Sequence, residues 1–441
     1  VSRFACHRTP QWPAREGPTG SVTGPAGSLR LVQFGTGAWL WRWFLLLCLA
    51  GWLSPWTGRG QIDPVDRELI EAGYNLPLEG HPPPLSGYGF YYRNLPEFLR
   101  TNLTLRLAVA PVYLDSELGV SGLLGEHTDL GLHVAGGGFA DSYAEIRQGT
   151  YYPQESFWGH DAEGGVSVYH LFNPGRKIPL NGLLRGTAHY SVYERTDDTA
   201  PGFRLPGDHT TFNLRAGLRW GGREPTLFPP LAMELSLWYE GQFRSHSGAY
   251  GDAAMPGKLE PESHLFWGEA FLGYTLPELK HSFYLNLTAG TSVEADRFSA
   301  YRLGGLLPLV SEFPLPLPGY YFRELSAKEF ALLSGTYLLP LDRRQRWNLQ
   351  ATASTAVVSY LPGLEQPGDW HNGVGGGLLY RTSSLKIMLG YAYGINAIRT
   401  HGRGADSLGL AMELDLKQAR KMLSNSGNPS LWRGLPSIFT R

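Results

Sequence analysis

The sequence predicts an all-β protein, a closed antiparallel transmembrane β-barrel of about 14 strands within a range of roughly 12–16. Three observations predict it. From residue 103 onward, apolar and polar residues alternate with period 2 in one stretch after another. The apolar faces carry no charge, the opposite faces carry Arg, Glu and Asp, and Tyr or Trp often sits near a strand end. Short and long connections take turns along the chain, as the turns and loops of an outer-membrane barrel do. A soluble sandwich alternates too, but its Greek-key connections have no reason to keep that rhythm.

Composition agrees. The 441 residues hold 38 Lys+Arg and 39 Asp+Glu, a net charge of −1, which excludes a strongly basic nucleic-acid binder and an acidic disordered tail. Charged residues are 17%, below the roughly 25% of soluble domains. The two cysteines, Cys6 and Cys48, both precede residue 60, so the body has no disulfide framework and no thiolate zinc site.

Taken in order, the first element is an export signal. Arg30 and Arg42 precede an apolar run from Trp43 to Leu53 that is too short to span a bilayer comfortably. Gly58-Arg59-Gly60 is a plausible cleavage site before Gln61. Residues 1–60 are therefore expected to be an extension plus signal peptide. Residues 61–101 are expected to be a short periplasmic lead-in with one helix. Asp63 would cap that helix, Pro64 would open it and Gly73 would close it, before Pro82-Pro83-Pro84 breaks the chain.

The barrel is expected over 102–416. Its strands are predicted near 102–113, 116–124, 128–146, 162–172, 181–193, 209–221, 231–243, 263–275, 281–294, 328–340, 345–359, 371–381, 384–394 and 405–416. Residues 85–95 could add a strand, and 128–146 could be two. In 346–359, Trp347, Leu349, Ala351 and Ala353 oppose Asn348, Gln350, Thr352 and Ser354. In 231–243, Leu231, Met233, Leu235 and Leu237 oppose Glu234, Ser236, Glu240 and Gln242. Long loops are predicted at 149–161, 194–208, 244–262, 295–327, 360–370 and 395–404. Residues 417–441 form a C-terminal tail.

The last six strands carry a further signal. Arg302-Leu303-Gly304-Gly305 precedes a long loop, then Pro318-Gly319-Tyr320, Arg323-Glu324 and a strand ending Tyr337-Leu338-Leu339-Pro340-Leu341. Near the end come Gly390-Tyr391-Ala392-Tyr393-Gly394 and Gly402-Arg403-Gly404. Residues 283–416 thereby resemble the membrane domain of the BamA/TamA surface-antigen superfamily. The resemblance implies a barrel in outer-membrane protein assembly or translocation, with the 295–327 loop folded into the lumen. In that family an Arg-Gly-aromatic loop tip packs its Arg against an acidic residue of the wall. Gly319 and Tyr320 match the tip, Pro318 stands where the Arg would be, and strand 345–359 offers no acid. Arg323 and Glu324 are the substitute contact to look for. The segment before Asn102 is too short for a polypeptide-transport (POTRA) module, so a barrel-only member is expected.

Other candidates are weaker. His189 and Ser191 lie two apart on one strand, but the alternation turns them to the lumen, so no catalytic role is expected. Arg215, Arg219, Glu234 and Glu240 are predicted to line the lumen, either as pairs in a wet interior or as a selectivity lining. No cofactor, metal or nucleic acid is expected. The expected partners are outer-membrane lipid and other outer-membrane proteins or periplasmic chaperones, and the expected location is the bacterial outer membrane. The alternative function is a passive pore.

Overall fold

The computed structural model describes residues 65–79, 86–222, 229–252, 256–307, 313–400 and 402–425. The expected signal peptide, both cysteines, the Pro82-Pro83-Pro84 break and the tail beyond 425 lie outside these residues. The strands, in chain order, open with β1 (Arg67–Pro77), β2 (Gly87–Pro96), β3 (Leu103–Ala110), β4 (Tyr113–Ser121), β5 (Thr128–Gly137), β6 (Tyr143–Arg147) and β7 (Thr150–Leu171). They continue with β8 (Leu180–Arg195), β9 (His209–Gly222), β10 (Leu231–Arg244), β11 (Gly248–Gly251), β12 (Pro256–Leu259) and β13 (Glu262–Thr275). The last are β14 (Ser282–Val293), β15 (Tyr301–Leu303), β16 (Leu325–Pro340), β17 (Trp347–Tyr360), β18 (Trp370–Arg381), β19 (Leu385–Arg399) and β20 (Gly402–Asp415), followed by helix α1 (Leu416–Asn425).

Sixteen of these strands form one closed antiparallel wall. β6 and β15 pair only onto β7 and β16 from the side, and β11–β12 is a separate hairpin. The wall closes where β1 meets β20, from Leu69 opposite Asp415 to Pro77 opposite Ser407. Every wall strand thus has two neighbours, which is the condition for a sheet that leaves no backbone edge bare in lipid.

The count of 14 is corrected to sixteen by two strands at the front. β1 occupies the place of the expected helix. The Asp63-Pro64 start signal is a weak local preference, whereas Ile70, Ala72, Tyr74 and Leu76 alternate with Glu71, Gly73 and Asn75, and both β2 and β20 need this strand as a partner. β2 is the strand that residues 85–95 could add; it stayed out of the count because Tyr88, Phe90, Tyr91 and Tyr92 put aromatics on both faces and erase the alternation.

The loop rhythm also needs correction. Residues 150–161, expected as a loop, are the projecting half of the 22-residue β7. Residues 395–404 are a tight hairpin, with Ile398 opposite Arg403 and Arg399 opposite Gly402. In both places the strands run on past the wall instead of ending at it. The other nine predicted connections join the wall strands they were predicted to join, whereas the two-residue link Pro111-Val112 on the long-loop rim breaks the rhythm.

The faces follow the period. Leu235, Leu237, Leu285, Leu349 and Leu410 are exposed on the outside, while Glu234, Ser236, Asn348 and Ser407 are buried inside. The largest core cluster is therefore in the lumen, where Trp238, Trp267, Leu303, Leu317, Tyr320 and Leu332 pack together. A second cluster, Tyr143, Phe157, Tyr193, Phe203, Tyr250 and Leu259, caps the loop end.

Candidate functional site

The segment joining β14 to β16 turns inward and crosses the lumen as a strap. Asp296 sets its entry. The carboxylate accepts from the backbone of Phe298 (2.7 Å) and Ser299 (2.9 Å) and pairs with Arg244 at 2.9 Å, both side chains 2% exposed. β15 then adds to β16, with Tyr301, Arg302 and Leu303 opposite Ala327, Ser326 and Leu325. Gly304 and Gly305 have φ of +139° and +91°, which only glycine adopts freely, and reverse the chain so that Gly305 bridges Leu317. Phe313 lies edge-on between Trp238 and Trp267, with centroids 4.9 and 5.0 Å away.

The tip docks on β18 and β19. Gly319 has φ +83°, and a Cβ there would collide with the backbone of Gly394; a Cβ on Gly373 would collide with Pro318. Tyr320 is fully buried, its hydroxyl 3.1 Å from His371 Nδ1. Glu324 receives two parallel bonds from Arg399, Nη1 to Oε1 and Nη2 to Oε2, each 2.9 Å. Their side chains are 0% and 2% exposed, and the guanidinium lies 3.7 Å from the centre of the Tyr321 ring. Such a bidentate pair fixes orientation as well as charge.

The structure thus places the motif residues Arg302, Leu303, Gly304, Gly305, Pro318, Gly319, Tyr320, Arg323 and Glu324 on one inward strap. Of the anticipated substitute contact it keeps Glu324 and parts it from Arg323. Arg323, at φ +58°, points into the lumenal cavity, where burial pulls its guanidinium down to about 10, still charged at neutral pH. The partner of Glu324 is Arg399, which sequence reasoning missed. The available signal was a basic residue at the mouth of the penultimate strand, Ile398-Arg399. In this pair the strap carries the acid and the end of β19 carries the arginine.

Beside the strap lies a cavity of about 610 Å³. On one wall Arg215 pairs with Glu240 at 2.6 Å, and deeper in the lumen Arg219 pairs with Glu234 at 3.1 Å. These four predicted lining residues do face inward, and they neutralise one another across β9 and β10. On another wall, imidazoles and carboxylates alternate. His133 Nε2 is 3.4 Å from Asp115 and its Nδ1 is 3.2 Å from Glu163; His189 Nδ1 is 3.1 Å from Glu163 and its Nε2 is 2.8 Å from Asp141. Ser191 donates its hydroxyl to Asp141, not to His189. His189 and Ser191 therefore do not form a base–nucleophile couple.

No protein-family model matches the chain, and no curated protein does. Among solved structures the chain is similar to CdiB from Escherichia coli, with a TM-score of 0.50 and 11% identity over 78% of this chain and 63% of that one. CdiB from Acinetobacter baumannii gives 0.49 and 11% over 79% and 60%. BamA from Haemophilus ducreyi lacking POTRA domains 1-3 gives 0.49 and 9% over 85% and 78%. The chain thus spans less than two thirds of either CdiB. At these identities the likeness is one of fold.

Proposed function

We propose that the chain spans the outer membrane of a bacterium and serves there in protein assembly or translocation, with lipid and other outer-membrane proteins as its partners. The inward strap, held by Glu324 and Arg399, carries this reading. A strap seated on its own wall through a buried bidentate pair occupies the space that an open pore of this strand number leaves to water. The apolar outer face supports a bilayer setting, because a wall with no free edge and an uncharged exterior suits hydrocarbon. The motif resemblance of 283–416 supports the assembly or translocation role.

A passive pore is the second reading, favoured by the polar cavity beside the strap. Proteoliposomes separate the two. An assembly barrel accelerates insertion of a second unfolded barrel and shows little steady conductance. Steady conductance without any assistance to insertion would replace the proposal by the pore.

A further inference from the structure

Between β5 and β7 the chain makes an excursion, 138–149, that dips back onto the inner wall. Its Asp141 meets Asp161 of β7 and His189 of β8, three elements that converge at one point. One donor atom from each of these residues lies within 4.8 Å of the other two. We propose that Asp141, Asp161 and His189 bind one divalent transition ion of the zinc class, which fastens the excursion to the barrel wall.

The donor set selects the class of ion. One imidazole nitrogen with two carboxylates suits zinc and its neighbours, whereas calcium and magnesium take oxygen alone. Bonds of about 2.0–2.1 Å in a tetrahedron put ligand atoms roughly 3.4 Å apart. His189 Nε2 and Asp141 Oδ2 are 2.8 Å apart and one donor atom of each of the three residues lies within 4.8 Å of the other two, so modest side-chain rotations bring the set to that spacing. The ion would take the place of any proton shared by His189 and Asp141, leaving the imidazole neutral as a ligand must be.

The surroundings are those of a ligand set held in place. The His189 ring nitrogen facing away from Asp141 meets Glu163 at 3.1 Å, the carboxylate–imidazole contact that orients metal-binding histidines. Glu163 is in turn braced by His133 at 3.2 Å. The other oxygen of Asp161 accepts from the Gly137 backbone at 3.0 Å. Asp141, His189 and Ser191 open onto the lumenal cavity, which gives a hydrated ion room to enter and leaves the Ser191 hydroxyl or a water for the fourth position. Two residues beyond Asp141, Tyr143 stacks on Phe157 at 4.6 Å, so the site lies directly beneath the aromatic cap.

The test uses the folded, metal-stripped barrel in detergent. Cobalt titration followed by visible absorption, with zinc competition, should show one ion per chain in a low-symmetry nitrogen–oxygen field. Asp141→Asn, Asp161→Asn and His189→Gln should each weaken binding by about tenfold or more. His170→Gln, at the far end of β7 from the site, should leave it unchanged. Zinc should also slow proteolysis within 138–149 in the unaltered protein and not in Asp141→Asn. Failure of the unaltered barrel to take up either ion overturns the proposal whether or not the variants fold. Unchanged affinity in folded Asp161→Asn or His189→Gln overturns it as well.

Discussion

Two long excursions leave the same rim, 245–261 and 294–324, and end in different places. The first folds on itself as the β11–β12 hairpin, tucks Tyr250 and Leu259 into the cap and leaves Lys258 in solvent. The second turns into the lumen and buries Leu303, Leu317 and Tyr320 completely. The second is the longer, but length alone does not draw a loop inward; the supply of backbone donors does. Pro314, Pro316 and Pro318 have no N–H to satisfy and hold φ near −65°, so this stretch loses little by leaving water. Where donors do occur, β15 finds β16 and Gly304 donates to Leu315 at 3.0 Å. An excursion goes inside when its polar groups have partners there already.

The bluntest way to break this contrast is to remove each excursion in turn. Deleting 308–324 should convert the barrel into a steadily conducting channel, since a wall of sixteen strands without a plug leaves an aqueous path. Deleting 252–255 from the hairpin tip should leave single-channel conductance where it was. Equal conductance in both deletions, in correctly folded barrels, would show that the strap does not obstruct the lumen.

A single residue sharpens the same contrast. Glu324→Ala leaves Arg399 buried with a charge and no carboxylate, a loss of about 3–5 kcal/mol for a fully enclosed pair. Unfolding titrations in lipid vesicles should record it, and protease should then cut the strap. Combining it with Arg399→Met should restore part of the loss, because the orphaned charge is gone. If the double variant is no better than the single one, the loss has another origin.

How far the sequence foretold this depends on what each residue faces. Strands such as β10 and β17 were legible because lipid on one side and lumen on the other impose period 2. β2 was legible only as a possible strand at 85–95, because aromatics serve on both of its faces. β1 was not, because its assignment rests on neighbours more than 300 residues apart, Leu69 with Asp415. The inward course of the strap was expected from the motif resemblance of 283–416, whereas its partner Arg399 is defined only by the closed barrel. The Asp141, Asp161 and His189 cluster has no sequence spacing at all, since an excursion and two strands bring it together.

The two faces of one strand make the next test. Leu235→Arg puts a charge where the wall meets hydrocarbon and should cost about 2–4 kcal/mol near the midplane. Ser236, the natural inward control by sequence, is 1% exposed, so an arginine there would overpack the lumen. Gln242 is the better comparison: it faces the cavity, where an arginine can take over its 2.7 Å bond to Glu240 but loses the bond Gln242 accepts from Arg244 at 3.1 Å. Gln242→Arg should therefore cost something, but less than Leu235→Arg. Equal losses in a lipid-based folding titration would reverse the assignment of faces.

The smallest effect is expected at the seam. Helix α1 follows β20 directly, with Asp415 capping it through the Gln418 backbone at 2.8 Å. From there Arg420 reaches across to β1 and gives Glu68 two bonds of 2.7 Å, while Lys417 pairs with Asp66. The geometry is that of a clasp over the line where the chain's first and last strands meet. Yet the Arg420 side chain is 56% exposed, and Glu68 also holds Arg93 at 3.2 Å and Tyr91 at 3.2 Å, so removing Arg420 orphans nothing. Water and salt screen what remains. Arg420→Ala should therefore cost less than about 1 kcal/mol, with the difference shrinking further as salt is raised. Glu68→Ala should cost more, because it releases Arg93 and Arg420 together. A large, salt-independent loss in Arg420→Ala would instead show that the seam depends on the helix, and that the β1–β20 pairing alone does not keep the barrel closed.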